Sequence, residues 1–148
     1  MLDLSLPIRQ ISPLLPHSGK MVLLDKITNF GTDFLEAETT LDEHCLLAKK
    51  GIIDSLMGAE IMAQGVAAWA GIQCVKAGKP IGLGYWIGSR KLSIHCAQLP
   101  IARPLKISIH LSIEDTSGFG VFDCQLVDIQ ENQVLVEGSL NVYRPQTA

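Results

Sequence analysis

Residues 58–75 read GAEIMAQGVAAWAGIQCV, and no other stretch constrains the fold as much. The run suits a helix that lacks a wide polar face. Ala59, Ala63, Gly65, Ala67, Ala68, Ala70 and Gly71 make that helix thin. A thin rod, apolar almost all round, is better wrapped by a curved sheet than laid on a flat surface. Either Asp54 or Ser55 can cap its start. Gly78 and then Pro80 in AGKP end it about six turns later. A membrane span is the rival reading, but residues 61–75 are short for a bilayer, contain Gln64 and Gln73, and lie between Glu60 and Lys76. A buried central helix from about Ser55 to Ala77 is therefore expected.

The segments around this helix read as strands. MVLLDKITNF and DFLEAETTL form two, joined by a turn at Gly31–Thr32. After the helix, KLSIHC alternates Leu92, Ile94 and Cys96 inward with Lys91, Ser93 and His95 outward. LKISIHLSI is the clearest alternation, with Leu105, Ile107, Ile109, Leu111 and Ile113 on one phase. FGVFDCQLVDI and QVLVEGSLNVY make a hairpin through QENQ, around Asn132. The first twenty residues, punctuated by Pro7, Pro13 and Pro16, suggest a helical turn around IRQIS and then an extended approach. Two strands, one long helix and four antiparallel strands make an α+β chain with a single helix against one sheet. Wrapping on one side leaves the far helix face and a sheet edge uncovered, which points to a homodimer.

At 148 residues the chain is a single domain, 1–148, with room for a substantial core. Its net charge of −3 gives no basic footprint for nucleic acid. Cys45, Cys74, Cys96 and Cys124 form no CxxC pair and each has apolar neighbours, as expected of reduced thiols in a cytoplasmic protein. MLDLSLPIRQ carries Asp3 and lacks a basic stretch leading into an apolar one, so no signal peptide is expected.

Glu60 and Gln64, four residues apart, project from one face of the helix. His44 follows the second strand, and a strand-loop-helix turn brings it toward Glu60 as an acid/base pair. His95 and His110 sit on polar strand phases and read as solvated side chains, while His17 reads as structural. No two histidines and no Cys/His pair have metal-ligand spacing, so no metal is expected. GLGYWIG, residues 82–88, precedes a strand instead of opening a helix after one. It reads as a loop placing Tyr85 and Trp86 beside a tunnel or a subunit contact. Arg90 could pair with an acid or meet a phosphate.

LLPHSGKMVLLDKI at 14–27, EIMAQ at 60–64, the intervening His44 and the closing GSLNVYRP resemble the hotdog-fold 3-hydroxyacyl-acyl-carrier-protein dehydratases. The nearest branch in that resemblance is the aryl-polyene type, in which a Glu-x-Met-Ala-Gln motif begins sixteen residues after a His, as Glu60 follows His44 here. The likeness runs from Pro13 to Pro145. Two places depart from the pattern: Cys45-Leu46 follows the histidine where fatty-acid dehydratases have Phe-Pro, and Asp54-Ser55-Leu56 stands where the nearer branch has Pro-Ala-Trp.

The resemblance implies a hotdog fold and dehydration of a 3-hydroxyacyl thioester on acyl carrier protein, without cofactor. His44 would take the proton from C2, and Glu60, its pKa raised by burial, would protonate the departing C3 hydroxyl. Backbone N–H groups around Ser55 and Leu56 would receive the carbonyl oxygen, and Gln64 would hold Glu60 or bound the pocket. The active site would form across the homodimer, His44 of one subunit meeting Glu60 of the other, with higher association left open. Two rivals remain at this point: a hotdog thioesterase in which Glu60 activates water, and a non-catalytic acyl-binding subunit.

Overall fold

A computed structural model describes residues 2–15, 22–82 and 85–144. One helix, α1 (Gly58–Lys76), lies against a six-stranded antiparallel sheet built from β1 (Lys26–Phe30), β2 (Phe34–Thr40), β3 (Tyr85–Ile94), β4 (Pro104–Glu114), β5 (Phe119–Asp128) and β6 (Gln133–Tyr143). The spatial order is β1-β2-β4-β5-β6-β3. This is the hotdog architecture.

The Asp54 side chain caps the entry to the helix by accepting the Leu56 N–H at 2.8 Å. Residues Ser55–Met57 form a 3-10 turn before α1 proper begins. At the far end Gly78 takes a φ of +67° and the Lys79 amide returns to the Cys74 carbonyl at 2.9 Å. That left-handed turn is the stop read from AGKP.

The helix is buried on most sides, and its small residues are the reason it fits. A Cβ on Gly71 would fall inside the carbonyl oxygen of Leu14, which crosses the helix from the 3-10 turn Ser12–Leu14. On another side, a Cβ on Gly65 would lie 3.0 Å from an Ile107 methyl. Beneath the helix runs a cross-strand row of Ala37, Ile107, Leu126 and Val136, paired in register on β2, β4, β5 and β6. These four are completely buried. The strip left half-exposed is Glu60, Ala63, Ala67, Ala70 and Cys74, at helical spacing.

Four local expectations differ from what is observed. Residues around Ile8 are not helical: Ile8 bridges Ile27, and the 3-10 turn comes later, where Pro13 presets the backbone. β1 starts only at Lys26, because Leu23 leaves the ladder to meet the helix. β3 already begins at Tyr85, within the expected loop, and bulges twice as an edge strand; Ile94 is 42% exposed and does not point inward. On β4 the inward phase holds through Ile109, and the bulge between Leu111 and Ile113 turns Ile113 outward, to 61% exposure.

Candidate active site

The site is built where the loop after β2 enters α1. From Asp42 the chain turns through Ala48 and reverses at Lys50–Gly51, with φ of 54° and 76°, so that Lys49 and Ile52 bond each other in both directions. Paired left-handed residues of this kind close a two-residue hairpin. Both arms then face the start of the helix. Between them and α1 lies a cavity of about 430 Å³ walled by Leu23, Leu46, Leu47, Leu56 and Met57, with Glu60 and Gln64 on the helix side. An apolar hollow holding one carboxyl group and one amide can enclose a hydrocarbon chain and exchange a proton with a polar group that the chain carries.

Gln64 is 1% exposed, and its Oε1 accepts the Leu23 N–H at 2.8 Å. Leu23 is also held from the other side: the Thr39 hydroxyl donates to its carbonyl at 2.5 Å. Gln64 therefore fixes a residue of the cavity wall. Thr39 was missed at the sequence level, although a signal exists. It continues the inward phase of Leu35 and Ala37 on β2, where a hydroxyl must find a buried partner.

His44 lies elsewhere. Its side chain is 86% exposed, its amide donates to Asp42 Oδ1 at 2.7 Å, and its ring Nε2 is 3.4 Å from Glu43. It borders a second cavity, about 360 Å³, with Asp25, Thr39 and Cys45. Leu23 and Leu46 line both cavities, so the hollow bordered by His44 and the one bordered by Glu60 adjoin at these two residues. The structure brings Glu60, Gln64 and Leu56 together and leaves His44 on the adjoining hollow.

The two amides expected to receive a carbonyl are already engaged. Leu56 gives its N–H to the Asp54 cap and its side chain to the cavity wall. Ser55 is 5% exposed, and its N–H lies 3.4 Å from the Ala97 carbonyl, a long bond.

The other singled-out residues fall outside this region. His95 pairs with Glu137 at 2.9 Å and His110 with Asp33 at 3.4 Å, both on the surface. His17 lies outside the described residues. All four cysteines are free thiols, and burial, helped by the neighbouring Asp123 carboxylate, pushes Cys124 up to about 12. A larger hollow of about 700 Å³ opens on the far face of the sheet among polar residues such as Glu36, His110, Asp123 and Glu137. It is an open saddle on the solvent side, away from α1. Among the described residues no group of three His, Cys, Asp or Glu side chains is placed to hold a metal ion, and no helix is long and apolar enough to cross a membrane.

Comparison with known proteins places this geometry in a family. No curated protein sequence matches the chain. Among solved structures it resembles the dehydratase heterocomplex ApeI:P from Xenorhabdus doucetiae, with a TM-score of 0.83 and 26% identity over 96% of this chain and 93% of that one. A hypothetical thioesterase with coenzyme A from Streptococcus pneumoniae TIGR4 shares the fold at TM-score 0.62 and 12% identity, covering 82% and 87% of the two chains. So does the PaaI protein of the E. coli phenylacetic acid degradation operon, at TM-score 0.62 and 11% identity over 80% and 81%. The family model for ApeP dehydratases matches residues 9–148, and the chain belongs to the ApeP-like dehydratase family.

Proposed function

We propose that the chain dehydrates a 3-hydroxyacyl thioester borne by an acyl carrier protein, giving the trans-2-enoyl thioester. The observation that carries this reading is the apolar cavity at the start of α1, which holds the carboxyl group of Glu60 in a chain of dehydratase family. His44 removes the C2 proton, which the thioester acidifies. The released electron pair forms the C2–C3 double bond as the C3–O bond breaks. Glu60 gives its proton to the departing hydroxyl, which leaves as water. The thioester carbonyl takes the Leu56 amide by displacing the Asp54 cap, while buried Ser55 shapes the turn that aims that amide. No step in this scheme calls on a cofactor.

The histidine acts across a subunit boundary, His44 of one copy reaching Glu60 of another. Three features support this. His44 is exposed, it borders a different hollow from Glu60 of its own chain, and the half-exposed strip along α1 starts at Glu60, which shares its cavity with exposed Leu46 and Leu56. A homodimer covers that strip. The Xenorhabdus doucetiae neighbour, a dehydratase heterocomplex by name, supports paired chains and offers a related dehydratase as the alternative partner.

Mass spectrometry of a 3-hydroxyacyl carrier protein tests the reaction. The expected result is loss of one water, slowed by about 10²–10⁴-fold in Glu60→Gln and in His44→Ala. Loss of the whole acyl chain that persists in His44→Ala would mean a thioesterase. Binding without either reaction would mean a non-catalytic acyl-binding subunit.

A further inference from the structure

The two cavities beside α1 share the walls Leu23 and Leu46, and these walls differ in how they are held. Leu23 is 7% exposed, with its N–H fixed by Gln64 and its carbonyl by Thr39; both of those side chains are 1% exposed. Leu46 is 54% exposed, on the loop after β2. Two buried side chains thus pair both backbone groups of Leu23, which holds that residue in place. The hollow on the Glu60 side is nearly all apolar, whereas the hollow on the His44 side has Asp25, Thr39, Thr40 and Asp42 around it. A hydrocarbon chain is therefore at home in the first and poorly matched to the second.

We propose that Leu23 and Leu46 form the end wall of the acyl pocket and set the longest chain it accepts, with Gln64 and Thr39 as positioning residues that act through Leu23. The proposal rests on the reading of the Glu60 cavity as an acyl site. It adds the specificity determinant. Leu23 is the fixed part of the wall and Leu46 the part able to turn aside. Chains that fit end at this wall; longer ones meet Leu23 and gain nothing from further methylenes.

Calorimetric binding of straight-chain fatty acids of increasing length to the full chain tests this without requiring turnover. For the wild type, affinity should rise about fourfold per methylene up to a limit and then stop rising. Leu23→Ala and Leu46→Ala should each move that limit to longer chains. Thr39→Val should blur the limit, and Thr39→Ser, which keeps the hydroxyl, should restore it; a purely structural Thr39 would change melting temperature without moving the limit. An unchanged limit in both leucine variants overturns the proposal, as does a wild type that binds no fatty acid of any length. The reaction is scored separately: a shifted limit with no loss of water from 3-hydroxyacyl carrier protein keeps the wall and rejects the dehydratase reading. Loss of water with an unshifted limit does the reverse.

Discussion

At the scale of single residues, the side chains that matter are the polar ones in apolar phases. Glu60 and Gln64 interrupt an apolar helix, and Thr39 continues an apolar strand phase, while exposed Asp54 caps the turn that leads into α1. The Asp54 cap satisfies the Leu56 amide, and Asp54→Ala should cost about 1 kcal/mol in urea unfolding. The same variant frees that amide, so it also reports on whether the cap competes with substrate. Cys124 gives a pH-dependent prediction. Burial first, and the Asp123 carboxylate second, favour its neutral thiol and raise its pKa from 9.0 to about 12. A folded-state pKa above the unfolded value in an acid means that the folded chain holds the proton longer. That contribution to stability is complete below pH 9 and is lost progressively from about pH 9 to 12. Alkylation with iodoacetamide followed by peptide mass spectrometry should accordingly find Cys124 the slowest of the four thiols at pH 8.

At the scale of elements, α1 fits because it is thin. Gly71 faces the Leu14 carbonyl, and a backbone oxygen has less room to retreat than a flexible side chain. Gly71→Ala should destabilise the fold by about 2 kcal/mol or more, seen as a lower denaturation midpoint at unchanged slope. Legibility in the sequence differed between elements for physical reasons. β4 was clear because its inward face is buried through Leu105, Ile107 and Ile109, and burial imposes period-two alternation. β3 was read six residues short on one side and with the wrong phase for Ile94. An edge strand with two bulges has only one neighbour to enforce its register. β1 was read too long because Leu23 looks like a strand residue, while its N–H bonds a glutamine 41 positions away.

At the scale of the whole molecule, the proposed meeting of His44 and Glu60 across two copies is open to a direct test. If the site spans two copies, Glu60→Gln and His44→Ala, each inactive alone, should regain part of the activity when unfolded together and refolded as a mixture. Failure of that complementation, with each variant still dimeric by light scattering, would place both groups in one chain or hand one role to a different subunit. A separate long-range tie is the Arg103–Asp128 pair. Asp128 is 2% exposed, meets Arg103 at 2.7 Å, and also accepts the Gln130 and Glu131 amides of the β5–β6 turn. Arg103→Met leaves that carboxylate buried without its cation and should cost about 2–3 kcal/mol, since Arg103 is itself partly exposed.

What the amino-acid order determined by itself was local: a thin helix with its cap and stop, five of the six strands near their places, a carboxylic acid on an apolar face, and a likeness strong enough to name the family. These follow from periodicity, turn chemistry and motif spacing, which are properties of neighbouring residues. Only the tertiary structure decided that Gln64 and Thr39 share Leu23 as a partner, and that His44 and Glu60 border separate hollows that adjoin at Leu23 and Leu46. Each of these depends on groups far apart in the chain competing for the same buried hydrogen bond or the same space. Such competition is settled when the sheet closes on the helix, because only then are those groups taken out of water.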